Sequence, residues 1–171
     1  MYILILLVQH KEYIKITKYL LYPNPKLTLE KKNTLLTGKK NQIIRLRRKF
    51  KLNILVVYPN LVCSTKKIYH ANKVKSSINL KPYLPIKNNK KLINILKKDK
   101  NDLEETVVRL YPKVKKVIDT IKAQKGCHFS RITGSGSACI GVFSDKRTAI
   151  LTQKLIKIKF PNYWCFVSKT M

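Results

Sequence analysis

Acidic residues are scarce in this chain of 171 residues, where eight Asp and Glu face 37 Lys and Arg and the formal net charge is +29. Such a balance is typical of proteins that bind nucleic acid or another polyanion. Arginine is scarce too, with six residues against 31 lysines, although base reading and bidentate phosphate contacts favour arginine. The composition therefore predicts nonspecific, charge-driven binding of polyanions.

Long apolar runs and paired cysteines are also missing. The run Tyr2–Val8 is far shorter than the roughly 20 residues of a membrane-spanning helix, and it lacks the basic start and the small-residue cleavage site of a secretory signal. The four cysteines form no Cys-x-x-Cys pair, and the three histidines have no ligand-spaced neighbours, so no metal site is predicted. We expect a cytoplasmic protein with no membrane contact and with free thiols, mostly buried, at Cys63, Cys127, Cys139 and Cys165.

Charge and pattern divide the chain near residue 50. Residues 1–98 hold 23 basic and two acidic side chains, whereas residues 99–171 hold 14 and six. Before residue 50, Tyr2–Val8 favours a strand or the start of a buried helix, and Asn33–Leu36 favours a short strand. We predict that residues 1–50 are a degenerate or poorly packed N-terminal segment and that residues 51–171 form one domain.

The pattern sharpens after residue 51. Leu52–Tyr58 is β-branched and apolar, which predicts a buried strand. Ser64 and Thr65 can cap a short helix, residues 71–90 predict a loop, and the apolar residues between 92 and 96 predict another short helix. Asn101–Glu104 has the spacing of a capping box, with Asn as the N-cap and Glu at the third helical position.

Two further helices, three strands and a last helix complete the predicted domain. Helical spacing continues from Val107 to Ile121, and Pro112 divides it into two helices. Strands follow at Cys127–Thr133 and Ala138–Phe143, then a helix capped by Ser144 or Asp145, then a strand at Tyr163–Val167. This order predicts an α+β fold, the ferredoxin-like split βαβ sandwich, with helices on one sheet face and the other face free for a partner domain. We expect Trp164 and Phe166 to pack in the core.

The candidate site is the glycine turn between two of these strands. Glycine permits positive φ and close approach, so such a turn can aim backbone N–H groups at a phosphate, or it can be a plain hairpin without a ligand. The pattern alone leaves both open. No catalytic residue is predicted, and the candidate phosphate-binding, substrate-side residues are Thr133, Gly134, Ser135, Gly136, Ser137 and Ala138.

Three ordered motifs resemble the GHMP small-molecule kinases. Arg131–Ala138 resembles the third motif of that family, Asn101–Glu104 resembles its Asn-Asp-Leu-Glu element, and Val56–Thr65 resembles the start of its C-terminal domain. Within the family, the closest likeness is to the branch that phosphorylates a hydroxyl of a cytidine diphosphate conjugate in non-mevalonate isoprenoid synthesis. The resemblance implies a GHMP kinase C-terminal domain and, for the whole enzyme, ATP and Mg²⁺ as cofactors.

The N-terminal part departs from that family. Nothing in residues 1–50 matches its glycine-rich ATP loop, and an ungapped placement puts Asn24 where the family has its catalytic aspartate; an amide cannot accept a proton as a carboxylate does. We therefore expect a truncated relative, of the kind that a decaying or split gene encodes, that binds no cofactor productively and is inactive without a separate N-terminal kinase domain. The alternative function is a basic RNA-binding module that uses exposed aromatic residues of the sheet.

Overall fold

The computed structural model describes the backbone of four strands before residue 50 and, in full, residues 50–72, 86–98 and 100–170. The first four strands pair antiparallel in chain order: Leu4–Gln9 (β1), Glu12–Thr17 (β2), Thr34–Thr37 (β3) and Gln42–Arg45 (β4). Strands at β1 and β3 agree with the sequence pattern, whereas β2 and β4 were not predicted. The predicted poor packing of this segment concerns side chains outside the described residues, as does the position of Asn24.

A second antiparallel sheet forms the domain that carries the candidate site. Its strands lie in the order β6-β7-β5-β8 and are Asn53–Tyr58 (β5), Cys127–Ile132 (β6), Cys139–Phe143 (β7) and Trp164–Lys169 (β8). The described helices are Thr65–Ala71 (α1), Asn89–Lys98 (α2), Glu104–Leu110 (α3), Pro112–Lys122 (α4) and Lys146–Lys159 (α5). Helices α1 to α4 connect β5 to β6, and α5 connects β7 to β8. The predicted split βαβ order is confirmed.

One face of this sheet, here called the inner face, packs against helices α3, α4 and α5. Helix α4 begins with Pro112 at its first position, as predicted. It buries four residues at helical spacing: Val114, Val117, Ile118 and Ile121. These side chains pack with Leu55 and Val57 of β5 and with Ile156 of α5 in one apolar cluster. Removing this apolar surface from water is what holds the helices on the sheet.

The opposite face, here called the outer face, is not left open as predicted. Leu92 and Leu96 of α2 pack on it together with Phe50, Ile54 and Val56. Because α2 begins at Asn89, the predicted loop is shorter than residues 71–90, and its residues 73–85 lie outside the described part of the chain. Helix α2 therefore occupies much of the face that the sequence assigned to a partner domain.

A second correction concerns the last strand. The sequence placed Trp164 and Phe166 in the core, yet they are 44% and 37% exposed, whereas Cys165 between them is buried. Alternate residues of a strand point to opposite faces, and here the cysteine, not the aromatic pair, faces the helices.

The helix before this strand is capped by Asp145, whose carboxylate accepts from the Thr148 N–H at 2.8 Å. Among the described residues, no helix is long and apolar enough to cross a membrane.

Candidate functional site

The glycine turn joins β6 to β7 and has a defined backbone conformation. The Thr133 N–H donates to the Ala138 carbonyl at 2.8 Å, and the Gly136 N–H donates to the Thr133 carbonyl at 3.0 Å. Gly134 and Gly136 have φ angles of +56° and +77°. Residues other than glycine rarely adopt this left-handed backbone conformation, because their Cβ atom comes too close to the following carbonyl. The backbone therefore favours glycine at both positions.

The two glycines differ in what surrounds them. A Cβ atom added to Gly136 would lie 3.1 Å from Val107 Cγ1 of α3 and 3.7 Å from Cys63 Sγ. A Cβ atom added to Gly134 would have nothing within 4 Å. Gly136 thus allows the turn to pack closely against α3, whereas the side of Gly134 that a Cβ would occupy is open.

Two polar side chains beside α3 hold the turn in place. Asn101 is buried; its Nδ2 donates to the Gly134 carbonyl at 2.8 Å, and its Oδ1 accepts from the Leu103 N–H at 3.0 Å. Glu104 Oε2 accepts from the Ile132 N–H at 2.8 Å. The predicted capping box is therefore wrong: Leu103 is the N-cap of α3 and makes no side-chain cap bond. Asn101 and Glu104 satisfy polar backbone groups of β6 and of the turn instead.

Burial controls the electrostatics of Glu104. Loss of hydration raises the pKa of this carboxyl group, while the Ile132 N–H and the charge of Arg131 act in the opposite direction.

Arg131, which belongs to the motif that resembles the kinases, does not point to the turn. Its buried guanidinium lies 4.3 Å from the centre of the Phe129 ring and donates to the Leu96 carbonyl of α2.

The segment after β5 also reaches the turn. The Ser137 hydroxyl donates to the Leu61 carbonyl, and the hydroxyl oxygens of Ser135 and Thr65 are 2.9 Å apart. All three motifs that resemble the kinases therefore meet at residues 133–138. Sequence reasoning found the motifs one by one but not their contacts; their fixed order along the chain was the only signal that they belong together.

The turn offers backbone donors that suit an anion. The N–H groups of Gly134 and Ser135, both partly exposed, donate to no acceptor among the described residues, whereas Ser137 is buried. Such a run of N–H groups in a glycine turn is a common phosphate-binding arrangement. Lys66 and Lys67, exposed in the first turn of α1, add positive charge near Thr65. Donors and charges of this kind suit a phosphate group.

Burial favours the neutral thiol form of the cysteines around the site. Desolvation raises the pKa of Cys63, next to the turn, and of Cys139 at the start of β7; it raises the pKa of Cys127 to about 11. All four cysteines are unpaired; Cys139 and Cys165 are buried, and the other two are partly buried. In the described part of the chain, no three His, Cys, Asp or Glu side chains come together as metal ligands.

Comparison with known proteins gives this site a family context. Residues 81–161 match the family described as "GHMP kinases C terminal". The 4-diphosphocytidyl-2-C-methyl-D-erythritol kinase of Pelagibacter ubique is 35% identical over 129 residues, which are 75% of this chain and 45% of that protein. The enzyme of the same name from Anaplasma phagocytophilum is 28% identical over 117 residues, which are 68% of this chain and 39% of that protein.

A solved structure agrees with the fold. The crystal structure of 4-(cytidine 5'-diphospho)-2C-methyl-D-erythritol kinase superimposes with a TM-score of 0.62 and 21% identity, over 82% of this chain and 50% of that one. The chain thus spans less than half the length of the curated relatives it matches. Residues 81–161 thus belong to the GHMP kinase C-terminal domain family, and the split βαβ order agrees with the fold of that solved structure.

Proposed function

We propose that this chain supplies the phosphate-binding turn on the substrate side of a 4-diphosphocytidyl-2-C-methyl-D-erythritol kinase. The observation that carries the proposal is the pair of N–H donors, at Gly134 and Ser135, that have no acceptor among the described residues. The name of the relatives supplies the substrate, since a cytidine diphosphate conjugate carries two phosphates that such donors can bind.

We further propose that the chain alone does not catalyse phosphoryl transfer. Phosphoryl transfer depends on holding the ATP phosphates in line with the acceptor and on neutralising their charge, mostly through a glycine-rich loop, a lysine and Mg²⁺. No segment of residues 1–50 matches that loop in sequence, and an ungapped placement puts Asn24 at the position of the base. Loss of both removes several kcal/mol of barrier reduction. A separate N-terminal kinase domain would have to supply ATP, Mg²⁺ and the base.

Binding at the turn is tested by following backbone amides with NMR. We expect CDP to shift the amide resonances of Gly134 and Ser135, and cytidine without phosphates to leave them unchanged. Gly126 and Gly141 are matched controls, because they are glycine amides of the same domain outside the turn. Equal shifts with cytidine, or shifts confined to the control glycines, would refute phosphate binding at this turn.

Activity is tested separately with an ATP-consumption assay. The purified chain, Mg²⁺ and 4-diphosphocytidyl-2-C-methyl-D-erythritol are combined, and a full-length kinase serves as the positive control. We expect no turnover by the chain. Turnover that disappears in the Gly136→Val variant would contradict this expectation and would mean that residues 1–50 contain an ATP site. Because binding and turnover are measured apart, one can fail without the other.

A further inference from the structure

The outer face of β8 carries an exposed pair of aromatic side chains. Trp164 and Phe166 alternate along the strand and therefore share a face, where their rings stack with centroids 6.1 Å apart and an interplanar angle of 17°. Tyr58 lies directly opposite Trp164 in the β5–β8 ladder and is 36% exposed. Three neighbouring aromatic residues at one corner of the sheet form a surface that we call the aromatic corner.

Helix α2 covers the outer face but leaves this corner uncovered. The residues packed beneath α2 come from β5, β6 and β7 and from the segment before β5; β8 contributes none of them. Strand β8 is at the edge of the sheet, so no further strand of this sheet flanks it. Contiguous exposed apolar surface of this kind marks an interaction site more often than single exposed side chains do.

Charge in the layer formed by the outer face and α2 has one sign. Strands β5 and β8 and helix α2 contain no acidic residue, and α2 carries exposed lysines: Lys90, Lys97 and Lys98. The acidic side chains that the structure describes in full lie elsewhere, next to or within α3 and α4 and at the cap of α5: Asp102, Glu104, Glu105, Asp119 and Asp145. This outer layer thus carries positive charge and, among the described residues of these three elements, no acidic side chain.

We propose that the aromatic corner binds single-stranded nucleic acid, with bases stacked on Trp164 and Phe166 and phosphates attracted by the lysines of the outer layer. Every base has a π-face, so stacking of this kind tolerates any sequence. That tolerance agrees with a chain rich in lysine and poor in arginine, because lysine attracts phosphate without reading bases. The surface differs from the glycine turn, which packs against α3 on the inner face.

Fluorescence tests stacking directly, because Trp164 is the single tryptophan of the chain. The full chain is titrated with a ten-residue oligothymidylate, with an abasic oligomer of the same length and charge, and with heparin. We expect all three to bind and to be released by salt, but only the oligothymidylate to quench Trp164 and to bind more tightly than the abasic oligomer.

Variants separate stacking from charge. Phe166→Ala should lower the affinity for the oligothymidylate about tenfold and leave the affinity for the abasic oligomer unchanged, while Phe166→Tyr, which keeps a ring, should retain tight binding. Ile158→Ala is the matched control, because Ile158 is an apolar side chain on α5 that is 83% exposed. Circular dichroism confirms that each variant is folded.

Three results would overturn the proposal. The first is equal affinity for the oligothymidylate and the abasic oligomer, which would reduce the binding to charge alone. The second is an equal effect of Phe166→Ala and Ile158→Ala. The third is self-association in sedimentation velocity that protects Trp164 and is abolished by Phe166→Ala, because a second copy of the chain would then occupy the aromatic corner.

Discussion

Replacing Gly136 with alanine tests how the turn is held against α3. Gly136 has a φ of +77°, and an alanine in this left-handed region costs about 1–2 kcal/mol. The new Cβ atom would also lie 3.1 Å from Val107 Cγ1, closer than the roughly 3.5–4.0 Å of an optimal carbon–carbon contact. Val107 is fully buried, so relieving this contact should add about 1 kcal/mol or more. We expect a total destabilisation of about 3 kcal/mol.

Gly134→Ala is the matched control two residues away in the same turn. Its φ of +56° imposes the same kind of backbone cost, but its Cβ atom would meet nothing within 4 Å. We therefore expect a loss of about 1–2 kcal/mol, the backbone cost alone. The difference between the two variants measures the contact with Val107 rather than the backbone conformation.

Urea unfolding measures the loss of unfolding free energy in both glycine variants, provided that the dependence of this free energy on urea concentration is the same in each protein. A double-mutant cycle with Val107→Ala then isolates the contact, because a smaller side chain on α3 leaves room for the new Cβ atom. The cost of Gly136→Ala should fall by about 1 kcal/mol in the Val107→Ala background. Equal losses for the two glycine variants, or an unchanged cost in that background, would refute the reasoning.

Three further predictions concern the supports of the turn and the division of the chain. Asn101→Ala should destabilise the domain by about 1–3 kcal/mol in urea, because it leaves buried backbone groups unsatisfied, while the exposed Asn94→Ala on α2 should change little. Burial raises the pKa of Glu104 above its ordinary 4.5, so the folded chain keeps the carboxyl proton to higher pH than the unfolded chain. The free energy of unfolding should therefore fall as the pH rises above 4.5 through the folded-state pKa. Glu104→Gln should flatten this pH dependence, and an unchanged slope of unfolding free energy against pH would contradict the raised pKa. Trypsin should cut first before residue 52, whereas early cuts between Val107 and Phe143 would argue against the predicted domain boundary.

Local signals in the sequence were enough for the order of elements after residue 51. The β-branched run of β5, the proline that begins α4 and the glycines between β6 and β7 each act on the backbone within a few residues. Such signals need no knowledge of the partner surface. The predicted strands and helices consequently appear with shifts of only one or two residues at most of their ends.

The same local signals do not predict contacts between segments that are distant in the chain. Asn101 and Glu104 have the spacing of a capping box, but backbone groups of β6 and of the turn, about 30 residues later, compete for their side chains and win. The alternation of Trp164 and Phe166 with Cys165 along a strand predicted that the two aromatic side chains pack in the core. Which face of a strand meets the helices depends on the register with β5, and no local pattern contains that register.

Packing in the fold explains one of the two glycines of the turn but not the other. Packing accounts for Gly136, since Val107 leaves no room for a side chain there. Packing does not account for Gly134, whose Cβ position is open; its φ of +56° is the only local demand, and asparagine or aspartate can also adopt that conformation. A carboxylate at this position would repel a phosphate, and an amide would fill the space beside the Ser135 N–H, which has no acceptor among the described residues. Glycine at 134 is therefore compatible with the phosphate binding that we propose, whereas packing against Val107 explains glycine at 136.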